Sequence, residues 1–150
     1  MSSVHSWRRG EYEVTTDDRR INVDCVYGFL SGQSYWAKGV PREVVERSIR
    51  HSLCFAILRG DETVGFARVV TDRATMAYLA DVFVLPSHRG NGLAKWLMEC
   101  IVSHPDLQRL RRWLLATADA HRLYSHNGFE PLKSPERWME RHDPDVYRRP

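Results

Sequence analysis

The arrangement of this chain is set by one stretch, Val82-Phe83-Val84-Leu85-Pro86-Ser87-His88-Arg89-Gly90-Asn91-Gly92-Leu93-Ala94. It predicts a buried strand that stops at Pro86, a loop with two glycines, and the first turn of a helix. A helix start leaves backbone N–H groups without partners and carries a partial positive charge. Gly90 and Gly92 have no Cβ, so the backbone there can turn tightly and approach a ligand closely. The stretch therefore predicts a binding site for a phosphate or pyrophosphate.

The composition is that of an ordinary soluble protein. The chain has 150 residues, of which 43% are hydrophobic and 27% are charged, and this length suffices for one domain with a proper core. No apolar run reaches the roughly 18 residues that a membrane span needs. Residues 1–9 lack the apolar segment of a secretory signal. We therefore expect a single cytoplasmic domain over residues 1–150, without a membrane partner, whose core lies in residues 11–140.

Charge, cysteine and histidine content argue against two other kinds of site. The net charge of +3 comes from 22 basic and 19 acidic residues, which is too small and too mixed an excess to favour nucleic-acid binding. The three cysteines form no CxxC pair, and the seven histidines show no HExxH spacing. We therefore predict no metal site and no nucleic-acid partner.

The remaining elements follow from hydrophobic spacing and turn residues. After a loose leader over residues 1–10 and a short strand at 12–16, we predict helices over 22–30 and after Pro41. Next come an antiparallel meander, a helix, a strand parallel to the last meander strand, a short helix and two closing strands. These span residues 53–58, 63–70, 76–85, 91–104, 112–117, 119–127, 129–132 and 137–140. The tail over residues 141–150 is expected to be poorly ordered.

Two familiar phosphate-binding patterns do not fit the loop. A Rossmann fingerprint requires a third glycine, but Lys95 stands in its place. A Walker P-loop requires Gly-Lys followed by Ser or Thr, which the chain lacks here. The loop is therefore neither a Rossmann fingerprint nor a Walker P-loop.

A third pattern fits. Arg89-Gly90-Asn91-Gly92-Leu93-Ala94 resembles the R/Q-x-x-G-x-G/A signature of the GCN5-related N-acetyltransferase (GNAT) family, and Leu123-Tyr124-Ser125-His126-Asn127-Gly128-Phe129 resembles the family's L-Y-x-x-x-G-F. Residues 81–86 resemble the strand before the signature, and the element order over residues 11–140 agrees. The resemblance implies an α/β (α+β) fold with a mixed sheet of about six to seven strands and about four helices. This sheet would splay between its fourth and fifth strands, at residues 76–85 and 112–117.

The resemblance also implies acetyl-CoA as the donor and a primary amine as the acceptor. The pantetheine arm would hydrogen-bond to strand backbone in the splayed gap, much as another strand would. Many members have an asparagine where this chain has Thr117, which puts one cofactor contact in doubt. The implied cofactor-binding residues are Phe83, Val84, Leu85, Arg89, Gly90, Asn91, Gly92, Leu93, Ala94, Lys95 and Thr117.

Acyl transfer needs an acid for the departing thiolate and a base for the attacking ammonium. Tyr124 matches the family's general acid, although it could instead be a core aromatic. Asp81 could take the proton directly or through a water, or it could be a structural acid paired with an arginine. Asp119 and His121 are further candidate bases, with helix capping and plain exposure as their alternatives.

The acceptor pocket has no specific signature. Tyr35 and Trp36 could line it or plug the edge of the core, and Phe66 and Arg68 could line it or pack on a strand face. A small-molecule amine is favoured because no extra recognition domain is visible. A protein amine, or a CoA-binding module without turnover, remains as an alternative. The closing strands offer an edge along which a homodimer could pair.

Overall fold

The computed structural model describes residues 3–149, which form a six-stranded sheet with helices on both faces. The strands lie side by side in chain order; the first five are antiparallel and the sixth is parallel to the fifth. They are β1 (Ser6–Arg9), β2 (Tyr12–Thr15), β3 (Leu53–Arg59), β4 (Glu62–Thr71), β5 (Met76–Val84) and β6 (Arg112–Leu114). The helices are α1 (Val23–Gly32), α2 (Arg42–Arg50), α3 (Leu93–Ser103) and α4 (His121–Ser125).

The sheet separates two apolar clusters. β3 is buried from Leu53 to Leu58, because successive side chains of a strand point to opposite faces and both faces are covered. Phe55 packs with Leu97 of α3 on one face. Phe66 packs with Val26 of α1 and Val45 of α2 on the other. The continuous apolar run of β3 is therefore explained by helices on both sides.

The predicted splay between the two parallel strands is present. β6 pairs with β5 only from Met76 to Tyr78, and no ladder joins them further along. Beyond that point β5 carries a bulge: the register against β4 shifts between Phe66 and Arg68, and Asp81 lies there with φ 55°. A bulge bends its strand and interrupts regular pairing. The second half of β5 therefore leaves a gap beside residues 115–118.

The prediction of a loose leader is wrong for Ser6–Arg9, which form β1. The four residues pair with β2 through a turn at Gly10, where φ is 60°. Trp7 packs against Phe55, with ring centroids 6.2 Å apart. Only one of these four residues, Trp7, is apolar, so the sequence showed no strand periodicity. The strand is stabilised by its pairing with β2 and by the contact between Trp7 and Phe55. Met1 and Ser2 of the predicted leader lie outside the described residues.

The prediction of two closing strands is also wrong. Residues 129–132 and 137–140 join no ladder, and Pro135–Arg137 form a 3-10 turn. Pro131 and Pro135 have no N–H to donate to a sheet, so this segment is poorly suited to pairing. The predicted strand at 112–117 ends already at Leu114. Since no further strand of the described residues pairs with β6, it is the edge strand of the sheet. The edge that the closing strands were expected to offer to a homodimer is therefore not formed by them.

The remaining boundaries follow local chemistry. α1 begins after Asn22, whose side chain accepts the N–H of Cys25, and continues to Gly32 instead of ending at residue 30. α4 ends before Gly128, which has a φ of 87°. Residues 141–149 are exposed and contain one 3-10 turn, Val146–Arg148, while Pro150 lies outside the described part. Over residues 3–149, none of the helices has the length and apolar character to cross a membrane.

Candidate active site

The glycine loop, residues 86–92, joins β5 to α3 and surrounds a small cavity. Gly90 and Gly92 have φ values of 84° and 70°, a left-handed conformation that favours glycine. Gly92 immediately precedes α3, whose first turn contains no acidic residue. The cavity has a volume of about 270 Å³ and is lined by Val84, His88, Arg89, Gly90, Gly92, Leu93, Ala94 and Lys95. The predicted phosphate-binding residues thus lie together around an open helix N-terminus.

Two side chains of the glycine loop hold its backbone in shape. Arg89 Nε donates to the carbonyl of Val84 at 2.9 Å, and Asn91 Nδ2 donates to the carbonyl of His88 at 3.1 Å. Both bonds satisfy carbonyl groups and use no backbone N–H. The amides at the start of α3 consequently stay available for an anion.

His88 is a loop residue that the sequence interpretation did not select. Its ring is buried, with Nδ1 3.1 Å from the Tyr12 hydroxyl and Nε2 3.8 Å from a carboxylate oxygen of Glu62. The loop is therefore fastened to β2 through the hydrogen bond between His88 and Tyr12, and the carboxylate of Glu62 on β4 lies near the same imidazole. No signal in the sequence could have shown this, because Tyr12 and His88 are 76 residues apart.

The backbone proposed to meet the pantetheine arm lies beside the gap. Phe83 and Val84 are paired to β4 at Phe66 and Gly65, and the N–H of Leu85 donates to the carbonyl of Val64. On their other side, no strand of the described residues 3–149 pairs with them. This free edge is where an extended amide-bearing ligand could pair.

Tyr124 lies on α4 at the start of the same gap. Its ring contacts Phe129 at 6.1 Å, and the side chain is buried. Burial, together with the nearby Tyr35 and Asp119, raises the pKa of the Tyr124 hydroxyl to about 12. Within residues 3–149 this hydroxyl has no hydrogen-bond partner. The Tyr124 hydroxyl is therefore a protonated group that is free to donate a hydrogen bond.

Residues 32–40, which we call the aromatic loop, reach across the gap. The Tyr35 hydroxyl accepts the N–H of Ala118 at 2.9 Å, and Trp36 Nε1 donates to Asp81 at 2.8 Å. Tyr35 is 58% exposed and Trp36 is 43% exposed, so neither ring plugs the core. The loop instead forms a wall that is tied to both sides of the gap.

Asp81 is held by two partners. One carboxylate oxygen accepts from Trp36, and the other forms an ion pair with Arg68 Nε at 2.8 Å. Arg68 in turn donates to the Ser52 hydroxyl at 3.2 Å. This is the arrangement expected of a structural acid paired with an arginine. Each carboxylate oxygen keeps a lone pair that can accept a further hydrogen bond or a proton.

The other candidate residues divide between packing and exposure. Phe66 is fully buried and packs against Phe83, at a centroid distance of 6.0 Å, which matches strand-face packing. Thr117 Oγ1 accepts the N–H groups of Ala120 and Asp119, so Thr117, rather than the Asp119 carboxylate, caps the turn before α4. Asp119 and His121 are both exposed. Over the described residues there is no cluster of three or more metal-ligating side chains.

Comparison with known proteins identifies the family of this chain. The family model for the acetyltransferase (GNAT) domain matches residues 50–131. A crystal structure of a candidate GNAT acetyltransferase from Xanthomonas campestris pv. campestris is 47% identical, covers 98% of each chain and superposes with a TM-score of 0.88. A candidate acetyltransferase of Gibberella zeae is 32% identical, with 85% of this chain and 83% of the relative covered.

A more distant structure shares the fold alone. The crystal structure of a candidate acetyltransferase from Clostridium acetobutylicum, described as a complex with acetyl-CoA, is 12% identical, covers 93% of this chain and 96% of its own, and has a TM-score of 0.58. The family match, the close structural relative and the geometry of the glycine loop confirm the resemblance seen in the sequence. The chain belongs to the GNAT family of acetyltransferases.

Proposed function

We propose that this protein is an acetyl-CoA-dependent N-acetyltransferase that acetylates the primary amine of a small molecule. What supports the proposal is the cavity of the glycine loop at the end of the unpaired half of β5, together with the buried Tyr124 on α4, which lies near the Tyr35 that binds Ala118. The acetyl-CoA complex described for the fold neighbour supports the choice of donor. The free edge of β5 between these two features would take the extended arm.

The residues fit the donor by chemical type. Backbone amides from Arg89 to Lys95 and the positive end of α3 would bind the pyrophosphate. The backbone of Phe83, Val84 and Leu85 would pair with the pantetheine amides. Thr117 would contribute less than the family's asparagine, because its hydroxyl already accepts two backbone N–H groups.

In the proposed reaction, backbone N–H groups stabilise the oxyanion and the Tyr124 side chain protonates the leaving sulfur. A neutral amine attacks the thioester carbonyl, and the carbonyl oxygen gains negative charge that a strand N–H near Phe83 and Val84 would stabilise. The C–S bond then breaks: the sulfur takes the proton of Tyr124, the nitrogen gives its surplus proton to solvent, and the Tyr124 hydroxyl regains a proton from solvent. A free thiol has a pKa of about 8.5, below that of Tyr124, so this transfer relies on the desolvation of the thiolate in the same gap. We therefore assign Tyr124 a modest contribution, on the order of 10²-fold.

The acceptor ammonium also has to be deprotonated. An alkyl ammonium has a pKa of about 10.4 and must lose a proton before it attacks. Asp81 is placed beside Trp36 in the wall of the gap, but both its oxygens are engaged. We infer that its main role is to hold the aromatic loop, with proton transfer as the alternative that mutation can test.

The acceptor would bind between the aromatic loop and β4. Tyr35 and Trp36 present exposed aromatic faces, and Arg68 is neutralised by Asp81. Aromatic faces attract ammonium groups by cation–π interaction, which suits a small amine. A protein amine remains the second candidate, because the wall is open to solvent.

The test is an acetyl-CoA turnover screen that measures free thiol release. The amines offered would be polyamines, amino acids, aminosugars, aminoglycosides and a peptide with a free N-terminus. We expect turnover with one small-molecule class and about 10²-fold less in Tyr124→Phe. Turnover with the peptide alone would favour the protein acceptor. Calorimetric binding of acetyl-CoA with no thiol release for any amine would favour a CoA-binding module.

A further inference from the structure

β1 ends beside the glycine loop, and this placement brings Arg9 to the edge of the donor site. Arg9 is paired across the hairpin with Tyr12, whose hydroxyl lies 3.1 Å from His88 Nδ1. His88 lines the cavity of the glycine loop. The strand pair and this hydrogen bond therefore fix the backbone of Arg9 relative to the loop.

The side chain of Arg9 extends toward the start of α3. Alternation along β1 places it on the same face as Trp7, which packs on Phe55 in the α3 cluster. A Cβ placed on Gly92 would have a single close neighbour, Arg9 Nη2, at 3.9 Å. Arg8 points the other way and is paired with Glu13. The guanidinium of Arg9 thus lies at the residue that precedes the helix.

The positive charges around the Arg9 guanidinium and the start of α3 favour the binding of an anion. Arg9 is exposed and, over residues 3–149, has no hydrogen bond or ion pair. The start of a helix is its positive end, so a cation there is unfavourable on its own. The first turn of α3 adds Lys95 and has no acidic residue. A phosphate between the guanidinium and the helix amides would relieve this repulsion and accept hydrogen bonds from both.

We propose that Arg9 binds the pyrophosphate of acetyl-CoA and supplies, from the N-terminal strand, a charged ligand to a site otherwise made of backbone amides. The proposal rests on the proposed function, since it requires acetyl-CoA at the glycine loop. Arginine suits this role because its planar fork donates two N–H groups to one phosphate.

Calorimetry with two ligands tests the proposal. CoA and 3′-dephospho-CoA share the pyrophosphate, and only CoA carries the 3′-phosphate. For Arg9→Ala we expect both affinities to fall by about tenfold to a hundredfold, the range for a lost charge-assisted hydrogen bond. Arg9→Lys should recover part of the loss. Arg8→Ala, the matched control on the other face of β1, should leave both affinities unchanged.

The outcomes separate this inference from the function on which it rests. If the wild type binds neither ligand, the proposed function fails. If it binds both and Arg9→Ala binds equally well, only the role of Arg9 is refuted. A loss confined to CoA would place Arg9 at the 3′-phosphate and would overturn the pyrophosphate assignment. Arg9→Gln, which keeps the length and polarity of the side chain, should lose affinity like Arg9→Ala; full affinity in this variant would overturn a charge-based role.

Discussion

The glycine loop and the aromatic loop flank the same gap but are built in opposite ways. The glycine loop presents backbone amides to the gap. The side-chain hydrogen bonds that hold its shape join residues close in sequence, Arg89 to Val84 and Asn91 to His88. The aromatic loop uses side chains whose partners are 83 and 45 residues away, for Tyr35 and Trp36 respectively. The difference teaches that a helix N-terminus can be specified locally, whereas a wall of side chains depends on the whole fold.

This contrast predicts where mutations act. Changes in the glycine loop should affect the donor alone and strongly, since most of the proposed phosphate contacts pass through that backbone. Changes in the aromatic loop and its partners should affect acceptor binding. The effect should be weaker, because several hydrogen bonds together hold the aromatic loop in place.

The largest effect is expected from Gly92→Glu. The added carboxylate would lie at the positive end of α3, where the phosphates would bind, so acetyl-CoA affinity should fall by more than about 100-fold. Calorimetry would measure the affinity, and circular dichroism would check the fold. Gly60→Glu is the matched control, since Gly60 has a similar φ of 61° and open space around it. Undiminished affinity in Gly92→Glu would refute the donor site.

Tyr124→Phe should come next and should act on the rate. Loss of the hydroxyl should lower kcat by about 10²-fold with little change in KM for acetyl-CoA. Because the pKa of Tyr124 is raised to about 12, the acid stays protonated, and no fall in kcat from its ionisation should appear up to about pH 10. Tyr78→Phe, at an exposed site on β5, serves as the control. Unchanged kcat in Tyr124→Phe would make this residue a core aromatic.

Asp81→Asn should loosen the acceptor wall. It removes the charge opposite the half-buried Arg68 and should cost about 1–3 kcal/mol of folding stability, with a severalfold rise in acceptor KM. Thermal unfolding and steady-state kinetics across pH would measure both effects. Adding Arg68→Gln should restore part of the stability, since the two side chains are coupled. A large loss of kcat with unchanged stability and acceptor KM, and with an altered pH profile, would make Asp81 the base instead.

The smallest effect is expected from Tyr35→Phe. It removes the acceptor of the Ala118 N–H while keeping the ring, so acceptor KM should rise about twofold to fivefold and acetyl-CoA affinity should not change. Kinetics with the amine identified by the turnover screen would measure this. Tyr27→Phe on α1 provides a tyrosine control outside the aromatic loop. An equal loss of donor affinity would mean that the two sides of the gap are not independent.

The residues explain which elements could be predicted. β3, β4, β5 and α3 were confirmed because long apolar runs and strong stop signals such as Pro86 and Gly60 mark them. β1 was missed because Ser6–Arg9 hold a single apolar side chain, and its stability comes from β2 and from Phe55. The prediction of two closing strands failed because Pro131 removes a ladder donor from residues 129–132, and a 3-10 turn, Pro135–Arg137, extends into the start of residues 137–140.

By itself the sequence determined the glycine loop and the helix start that follows it. The order strand, glycines and helix specifies an open helix N-terminus through backbone conformation within a few residues, and together with residues 81–86 and 123–129 it predicted the family that the comparisons show. Only the tertiary structure decided the rest: the tie between Asp81 and Trp36, the bond from Tyr35 to Ala118, and the position of Arg9 beside Gly92. These contacts join residues that are tens of positions apart, and side chains meet across such distances only after the sheet has formed.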